Sequence, residues 1–374
     1  RDYLKRPEIK INEATIMDFD RASKAKQAIR QKGIIGERYS LDKHVLATID
    51  HPLAKLIVEL RNRTKLKSTY ADGFELGKGD YVWPDGKIHT SFNTTFTETG
   101  RLSSDYPNQQ NWPKRNDAWV RRLVVPPKGH VILAIDYGQL EGCCAAMCSK
   151  DSVLVKALWE NYDIHMAWTK KLVKRYPLWL GTSETLDDKP TAKKYRSVVK
   201  NKLVFPAIYG ASNESIAGYL NVPIDVADDI MDEFWGTFTG LKRWQDELMK
   251  GYYNRGYVES LNGRRHNYPL TRNQAINFPV QSIAADIVCE SMNTLSLYAC
   301  ATKEWFIHPI LNIHDDLSFL IPEDKQDYAI KTISEIMLTP PYKFINVPLS
   351  IEISVGTNWF DMDEVTKLWS NKDV

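Results

Sequence analysis

The sequence predicts an α+β fold in which a small antiparallel sheet is combined with a larger number of helices. The strand prediction comes from short apolar runs at 131–135, 310–313 and 317–321, which are rich in β-branched residues. Apolar residues at helical spacing account for most of the remaining chain. With 374 residues, 43% hydrophobic and 26% charged, the composition is typical of a globular protein with several lobes.

The first 70 residues are predicted to be helical. Leu53, Leu56 and Leu60 recur at helical spacing, and basic residues cluster near the end of this segment. Residues 1–67 contain 16 Lys and Arg against 9 Asp and Glu, whereas the rest contains 33 against 38. This distribution fits a basic lobe that grips a polyanion, and it fits a solvated helical face equally well.

The remaining elements follow in order. Residues 77–92 (GKGDYVWPDGKIHTSF) predict a hairpin, and 97–113 predict a polar loop. A mostly helical region covers 139–250, with a polar break at 181–190 and a basic run at 193–202. The Asn262-Gly263 pair predicts a hairpin over 258–266. A long helix over 273–300, a hairpin over 310–321, a further helix and a strand-like stretch at 347–356 complete the chain.

Two acidic patches, each following an apolar run, are the main candidate site. Asp136 follows the run 131–135, and Asp315 and Asp316 lie at or near the tip of the hairpin 310–321. An Asp at a strand end is usually a turn or cap residue, so each patch alone is a weak signal. If one end of a sheet brings the patches together, they suit two Mg²⁺ ions roughly 3.5–4 Å apart, an arrangement used for in-line phosphoryl transfer.

Other functional classes receive little support. The five cysteines form no CxxC pair and no Cys/His zinc spacing, which favours buried thiols in a reducing compartment. No apolar run approaches the roughly 20 residues of a membrane span, and the sequence opens without a signal-peptide pattern.

Several motifs resemble those of the polymerase module of family A DNA polymerases. DYGQLE (136–141) is similar to the family's motif A, DYSQIE, and HDD (314–316) is similar to motif C, usually HDE. TGRLSSDYPNQQNWP (99–113) resembles TGRLSS…PNLQNIP. Further matches, in the family's order, are DIHMA (163–167), YGAS (209–212), NGRRHNYP (262–269) and NFPVQSIAADI (277–287).

The resemblance implies a right-hand polymerase fold with a helical thumb, an antiparallel palm sheet and helical fingers. The expected boundaries are thumb 1–83, palm 84–141 and 268–374, and fingers 142–267. The implied reaction is template-directed transfer of a nucleotide from a dNTP to a primer 3′-hydroxyl, with release of pyrophosphate. We expect two Mg²⁺ ions, with Mn²⁺ as an alternative ion, and primer–template DNA and dNTPs as partners.

The resemblance also implies a monomer without membrane attachment, in the cytoplasm of a bacterium or phage-infected cell, with an organelle left open. No segment is expected to form an exonuclease domain. Three alternatives remain at this stage: a polymerase that also copies RNA templates, a non-catalytic DNA-binding relative, and a single-subunit RNA polymerase. Glu141 and TGRLSS argue against the last, and the paired carboxylates argue against the second.

The resemblance assigns the chemistry to a few residues. Asp136 and Asp315 would bind the metal ions, and Tyr137 would offer its backbone carbonyl. Asp316 stands where the family usually has Glu; its shorter reach favours an outer-shell role. Lys200 would protonate the pyrophosphate leaving group.

The nucleotide and DNA contacts are implied in the same way. Arg196, Lys200 and His165 would bind the triphosphate, and Glu141 would exclude a ribose 2′-hydroxyl. Phe in place of Tyr at 205 implies discrimination against nucleotides lacking a 3′-hydroxyl. The full set of expected nucleotide-binding residues is Arg196, Lys200, Phe205, Tyr209, His165, Glu141 and Gln139. The expected DNA-binding residues are Arg101, Asn108, Gln110, Arg264, Asn277, Gln281, His314, Lys65 and Lys67.

The nucleotide-binding helix departs from the family pattern R-x3-K-x3-[F/Y]-x3-Y. One residue is added between Lys200 and Phe205, which in a regular helix would place Phe205 roughly 180° from Arg196. Pro206 also removes a helical hydrogen bond. We therefore predict a π-bulge or kink over 201–206 that restores the alignment of Phe205. In the alternative, Val204 takes the aromatic position and base stacking is lost.

Overall fold

The computed structural model describes residues 45–46, 49–75, 79–114, 117–176 and 185–370. The chain divides into two compact units between Thr90 and Ser91. The helices predicted over 1–44, and residues 181–184 of the predicted polar break, lie outside the described residues. The proposed division into thumb, palm and fingers stays a prediction.

Among the described residues of the first unit there is one long helix, α1 (Pro52–Leu66). Pro52 occupies its first turn, and the His51 side chain accepts a hydrogen bond from the Leu53 N–H at 3.1 Å. The helix continues into a π-helical turn, Lys67–Ala71. The hairpin predicted near residue 80 reduces to a single bridge between Val82 and Ile88, because the chain turns sharply at 84–86.

The second unit is built on a five-stranded sheet in which every neighbouring pair is antiparallel. The strands are β3 (His130–Tyr137), β6 (Leu311–Ile313), β7 (Asp316–Pro322), β8 (Ser350–Gly356) and β9 (Met362–Trp369), numbered in chain order. Their order across the sheet is β6–β7–β3–β8–β9. Two small pairs lie outside this sheet: β1 (Ser91–Asn93) with β2 (Ser103–Asp105), and β4 (Tyr257–Glu259) with β5 (Arg265–Asn267).

One face of the sheet is buried and the other carries charge. Ile135, Leu317 and Ile353 are opposite one another on β3, β7 and β8, and all three are 0% exposed. Directly opposite residues of antiparallel strands have side chains on the same face. The residues one position away therefore lie on the other face, where Ile132 is also buried but the end of the strand carries the charged Asp136.

Helices form the rest of the second unit. They are α2 (Leu140–Ser149), α3 (Ser152–Trp159), α4 (Ile164–Arg175), α5 (Lys189–Val199), α6 (Phe205–Ile208), α7 (Asn213–Leu220), α8 (Ile224–Thr237), α9 (Thr239–Arg255), α10 (Arg272–Thr302) and α11 (Gln326–Leu338). Helix α10 begins with a capping box between Thr271 and Gln274, and it packs against α2. None of the described helices combines the length and apolarity that a membrane crossing requires.

The structure confirms the α+β class and corrects three local predictions. Ser103–Asp105, predicted as loop, forms a strand because it pairs with Ser91–Asn93. Asp136 lies inside β3 and not after it, since the ladder continues to Tyr137. Strand β9 was not predicted; its polar sequence, MDEVTKLW, is accommodated because it is an edge strand.

Candidate active site

The sheet brings the two acidic patches together, as the sequence predicted. Asp136 on β3 is directly opposite Asp316 on β7. Asp315 is in the tight turn between β6 and β7, where its carbonyl accepts a hydrogen bond from the Tyr137 N–H at 3.2 Å. His314, in the same turn, adopts a left-handed φ of 59°. Three carboxylates thus meet where β3 leaves the sheet and β7 enters it.

The pKa values of all three carboxyl groups are raised, as is expected of a site that binds cations. Burial raises the pKa of Asp136 to about 7, and the neighbouring Asp316 contributes to the same effect. Burial also raises the pKa of Asp315 to about 6, although Arg101 opposes the rise. The pKa of Asp316 is raised by burial as well. A bound cation would favour the charged form of all three groups.

Tyr137 and Asp316 have packing partners that limit what their side chains can do. The Tyr137 hydroxyl lies 2.8 Å from Ser291 Oγ and donates to the Met337 carbonyl at 2.5 Å. Its ring therefore belongs to the core, which leaves its backbone carbonyl as the group available to a metal. Asp316 accepts a hydrogen bond from Ser318 Oγ at 3.1 Å. That bond fits the outer-shell role expected of the shorter carboxylate.

Arg101 connects Asp315 to Glu141, the residue expected to select the sugar. Its Nη2 donates to Glu141 Oε1 and lies 3.7 Å from Asp315 Oδ1. The Arg101, Glu141 and Asp315 side chains are each 21–22% exposed. Such partly buried pairs are screened less than surface pairs, so this cluster holds Arg101 over the carboxylates.

The helix that the sequence predicts to bind the nucleotide contains the expected distortion. Residues Lys200–Val204 form a π-helical turn between α5 and α6. The Phe205 N–H donates to the Lys200 carbonyl five residues earlier, so the wide turn absorbs the added residue. The prediction of a π-bulge is confirmed.

The π-turn also decides between Phe205 and Val204. The Phe205 ring stacks on Tyr209 with a centroid distance of 6.1 Å and meets His165 edge-on at 5.6 Å. Lys200 Nζ lies 5.1 Å from the Phe205 ring centre. Val204 is 2% exposed and packs in the core. The aromatic side chain is therefore Phe205, aligned with the basic residues as the family pattern requires.

Two of the basic residues near this helix, Arg196 and His165, differ in their charge. Arg196 Nε donates to Asp163 Oδ2 at 2.7 Å. Burial, together with Arg196 and Lys200, lowers the pKa of His165 to about 4. His165 is therefore neutral at pH 7 in the nucleotide-free protein, and it would offer a hydrogen bond and not the positive charge that the sequence suggested.

Gln139 occupies the N-cap of α2 with a left-handed φ of 54°. It lines a cavity of about 30 Å³ together with His165 and Phe205. This position brings Gln139 to the nucleotide-binding helix.

Most of the predicted DNA-binding residues have protein partners. Gln110 Nε2 donates to the carbonyls of Leu102 and Asn312, at 3.1 and 3.2 Å, and so ties the 102–110 segment to β6. Asn108 Oδ1 accepts from Asn111 N–H at 3.2 Å and caps a short 3₁₀ helix. Arg264 donates to Asp286 at 2.8 Å. These bonds give Asn108, Gln110 and Arg264 structural roles, and their contacts to DNA stay predictions.

The other predicted DNA contacts fall into two groups. Asn277 and Gln281 are half-buried and lie one turn apart on α10, so they share a face of that helix. In the first unit, Lys65 and Lys67 are exposed near the end of α1, where Lys67 forms an ion pair with Asp72 at 2.5 Å.

Buried polar atoms without partners concentrate among the predicted substrate contacts. Seven such side-chain atoms occur within the described part of the chain. Four of them are Arg101 Nε, His165 Nδ1, Tyr209 Oη and Asn277 Oδ1. Buried polar groups in proteins are rarely left unpaired, which indicates that these atoms find their partners in a ligand or in ordered water.

The residues present fit a divalent metal that is completed by substrate. Over the described ranges, no group of three or more His, Cys, Asp and Glu side chains is arranged to hold a metal ion. Mg²⁺ is commonly held by one or two carboxylates together with waters and substrate phosphates. Asp136 and Asp315 would supply the two carboxylates of such a donor set.

Sequence reasoning missed two charged residues at this site. Lys114 lies close enough to Asp136, Asp315 and Asp316 to oppose the rise in their pKa values. Glu352 on β8 is directly opposite Asp136 and raises its pKa further. The polar alternation of the run 347–356 could have indicated Glu352, but only the strand register places it beside Asp136.

Comparisons with known proteins agree with this geometry. The sequence profile described as DNA polymerase family A matches residues 19–361. The chain is 33% identical over 340 residues to DNA polymerase I of Chloroflexus aurantiacus, covering 87% of this chain and 34% of that protein. It is 30% identical over 331 residues to the thermostable DNA polymerase I of Thermus aquaticus, covering 84% and 37%. The chain thus spans about a third of the length of these relatives.

A solved structure has the same fold. It is described as the POL domain of Pol1 from M. smegmatis in complex with DNA primer-template and dNTP. The TM-score is 0.73 at 27% sequence identity, and the match covers 88% of this chain and 57% of that one. The right-hand polymerase fold expected from the sequence motifs is therefore confirmed.

Proposed function

The chain belongs to DNA polymerase family A, and from that premise we propose that it is a DNA-directed DNA polymerase. It would extend a primer on a template with dNTPs and release pyrophosphate. The observation that carries the proposal is the meeting of Asp136 and Asp315 at one end of the sheet, beside Arg101 and Glu141. Binding without catalysis would not need paired carboxylates there.

Asp136 and Asp315 would hold the divalent ions. When bound, these ions lower the pKa of the primer 3′-hydroxyl and stabilise charge on the transferring phosphate. Arg101 sits 3.7 Å from Asp315 and balances part of the carboxylate charge. Asp316, bonded to Ser318, would keep the metal-binding carboxylates in place.

The chain's own side chains would orient the nucleotide. Arg196 suits bidentate phosphate recognition, and phosphate would replace its present partner Asp163. Lys200, one turn later, would donate a proton to the leaving pyrophosphate. Phe205 and Tyr209, already stacked on each other, would pack against the bases at the growing end. Glu141 would fill the space beside C2′ and exclude ribonucleotides.

The test is primer extension with Mg²⁺ by the wild type and by the Asp136→Asn and Asp315→Asn variants. We expect extension by the wild type and a loss of several orders of magnitude in each variant, because each removes a metal ligand. Asp324→Asn is the matched control, since Asp324 is exposed and lies at the far end of β7. Wild-type protein that is folded, binds DNA and extends no primer would favour the non-catalytic alternative.

The same assay also determines which kinds of template the protein copies. A DNA template and an RNA template of identical sequence, each with the same DNA primer, separate a strict DNA polymerase from one that also copies RNA. Replacing dNTPs by rNTPs tests the role given to Glu141. Glu141→Ala should raise rNTP use relative to dNTP use without abolishing dNTP incorporation.

A further inference from the structure

The proposed metal ligands belong to a row of four charged side chains that crosses the sheet. Asp316 on β7 is opposite Asp136 on β3, Asp136 is opposite Glu352 on β8, and Glu352 is opposite Lys367 on β9. Directly opposite residues share a face, with Cβ atoms about 4.5–5.5 Å apart. Three adjacent carboxylates are therefore followed, at the edge of the sheet, by the ammonium group of Lys367.

Lys367 is held in this row by two contacts. Its Nζ lies 2.7 Å from Glu352 Oε1, and it lies 5.3 Å from the ring centre of Trp369 on the same strand. The Lys367 side chain is 32% exposed and that of Glu352 is 47% exposed. Glu352 contributes to the electrostatic environment of Asp136, so a charge that neutralises Glu352 also changes the environment of Asp136.

Two features of this chain accompany the pair. Strand β9 lies outside residues 19–361, the part matched by the family profile. Within motif A, Gly138 stands where the family pattern DYSQIE has Ser. A Cβ at residue 138 would overlap Ser350 Oγ and lie 3.5 Å from Lys367 Nζ. The missing side chain at Gly138 therefore leaves room for Ser350, and it places the motif A backbone next to the ammonium group from β9.

We propose that Lys367 is a positioning residue of the nucleotidyl-transfer site, which acts by neutralising Glu352. Without Lys367, Glu352 would be an unpaired carboxylate beside Asp136. It would then attract divalent cations to the row and repel the anionic primer–template. This inference rests on the proposed function, because it requires metal ions and DNA at the Asp136 face.

The proposal predicts opposite changes in affinity for two ligands, a divalent cation and primer–template DNA. Replacing Lys367 by Met lowers the net charge by one at a position two strands from Asp136, roughly 10 Å away at the usual spacing of adjacent strands, where water partly screens it. A divalent cation should then bind about 3- to 10-fold more tightly, and primer–template DNA should bind about 2- to 4-fold more weakly. General damage to the sheet would weaken the binding of both ligands.

The experiment measures Mn²⁺ binding without DNA, from the electron paramagnetic resonance signal of the free ion. Primer–template affinity is measured separately by fluorescence anisotropy in EDTA at fixed ionic strength. The variants are Lys367→Met, Lys367→Arg, Glu352→Gln and the double variant Lys367→Met/Glu352→Gln. Lys367→Met should show the opposite shifts, Lys367→Arg should match the wild type, and the double variant should return both affinities to near the wild-type values.

Several results would overturn the proposal: unchanged affinities in Lys367→Met, weaker binding of both ligands, or no reversal in the double variant. If Lys367→Met does not fold, Glu352→Gln still tests the idea. It leaves Lys367 unpaired and should weaken Mn²⁺ binding while it tightens DNA binding. Wild-type Mn²⁺ binding that Asp136→Asn leaves unchanged would instead refute the proposed function, which separates the two failures.

Discussion

Replacing Asp136 by Asn should stabilise the metal-free protein even though it removes a carboxylate of the proposed metal site. In the folded chain, burial and the adjacent Asp316 raise the pKa of Asp136 from 3.8 to about 7. Between these two values the folded state binds more protons than the unfolded state. The free energy of unfolding therefore falls as the pH rises through this window. The Asn side chain has a similar shape and no charge, so it escapes this loss.

The magnitude follows from the same pKa values. A rise from 3.8 to about 7 corresponds to ~4 kcal/mol at 1.36 kcal/mol per pH unit. Asp136 is only partly buried, and water screens some of the repulsion, so we expect about 2 kcal/mol. The advantage of the Asn variant should be near zero at pH 4, grow through pH 5 and 6, and level off above pH 7.

Urea denaturation in EDTA at a series of pH values measures this difference. Asp324→Asn provides the control, because this exposed residue should follow the wild type at every pH. Adding Mg²⁺ should stabilise the wild type more than the Asp136 variant, since the ion binds the folded carboxylates. An Asn variant that is less stable at pH 8, or whose advantage does not grow with pH, would refute the reasoning.

Three further predictions concern other parts of the second unit. Asp151 accepts hydrogen bonds from four backbone N–H groups at the starts of α3 and α9, at 2.7–3.0 Å. Asp151→Asn should therefore lower the free energy of unfolding, measured by urea denaturation, by about 2–4 kcal/mol, because an amide cannot accept all four bonds. Deleting the exposed Lys202 should turn the π-turn into regular helix and preserve primer extension, whereas deleting Ser197, between Arg196 and Lys200 in the regular part of α5, should abolish it by rotating Arg196 about 100° relative to Lys200. Phe205→Tyr should raise the incorporation of dideoxynucleotides relative to dNTPs about tenfold, because a hydroxyl on the ring supplies one missing hydrogen bond; an unchanged ratio would count against the position assigned to the ring.

The predictable parts of this site are those encoded by local sequence signals. The apolar run before Asp136 and the hairpin that carries Asp315 were both identified, because a strand that ends in a turn leaves a strong short-range pattern. The π-turn was identified for a similar reason. One residue too many between Lys200 and Phe205, followed by Pro206, leaves few backbone conformations that keep the helix together.

The parts that could not be predicted depend on distant segments. Asp151 has the sequence of an ordinary helix cap for α3, but its second oxygen caps α9 about 90 residues later. The sequence predicts Gln110 as a DNA contact and gives no sign that its amide also joins the 102–110 segment to β6. Strand β9 has no strong alternation of its own and forms because β8 offers an unpaired edge. In each case the partner, and not the residue, determines the role.

Three cationic side chains around the proposed substrate site form ion pairs with carboxylates of the protein. Arg101 pairs with Glu141, Arg196 with Asp163, and Lys367 with Glu352. Under the proposed function the first two pairs differ from the third, because primer and triphosphate would compete for Arg101 and Arg196. Breaking either pair costs some of the free energy of substrate binding. Each arginine therefore leaves its carboxylate only when a substrate is present to replace it. The Lys367–Glu352 pair has no such competitor and would persist through the cycle. It follows that salt should weaken substrate binding through the first two pairs, while the third keeps the charge beside Asp136 constant as substrates come and go.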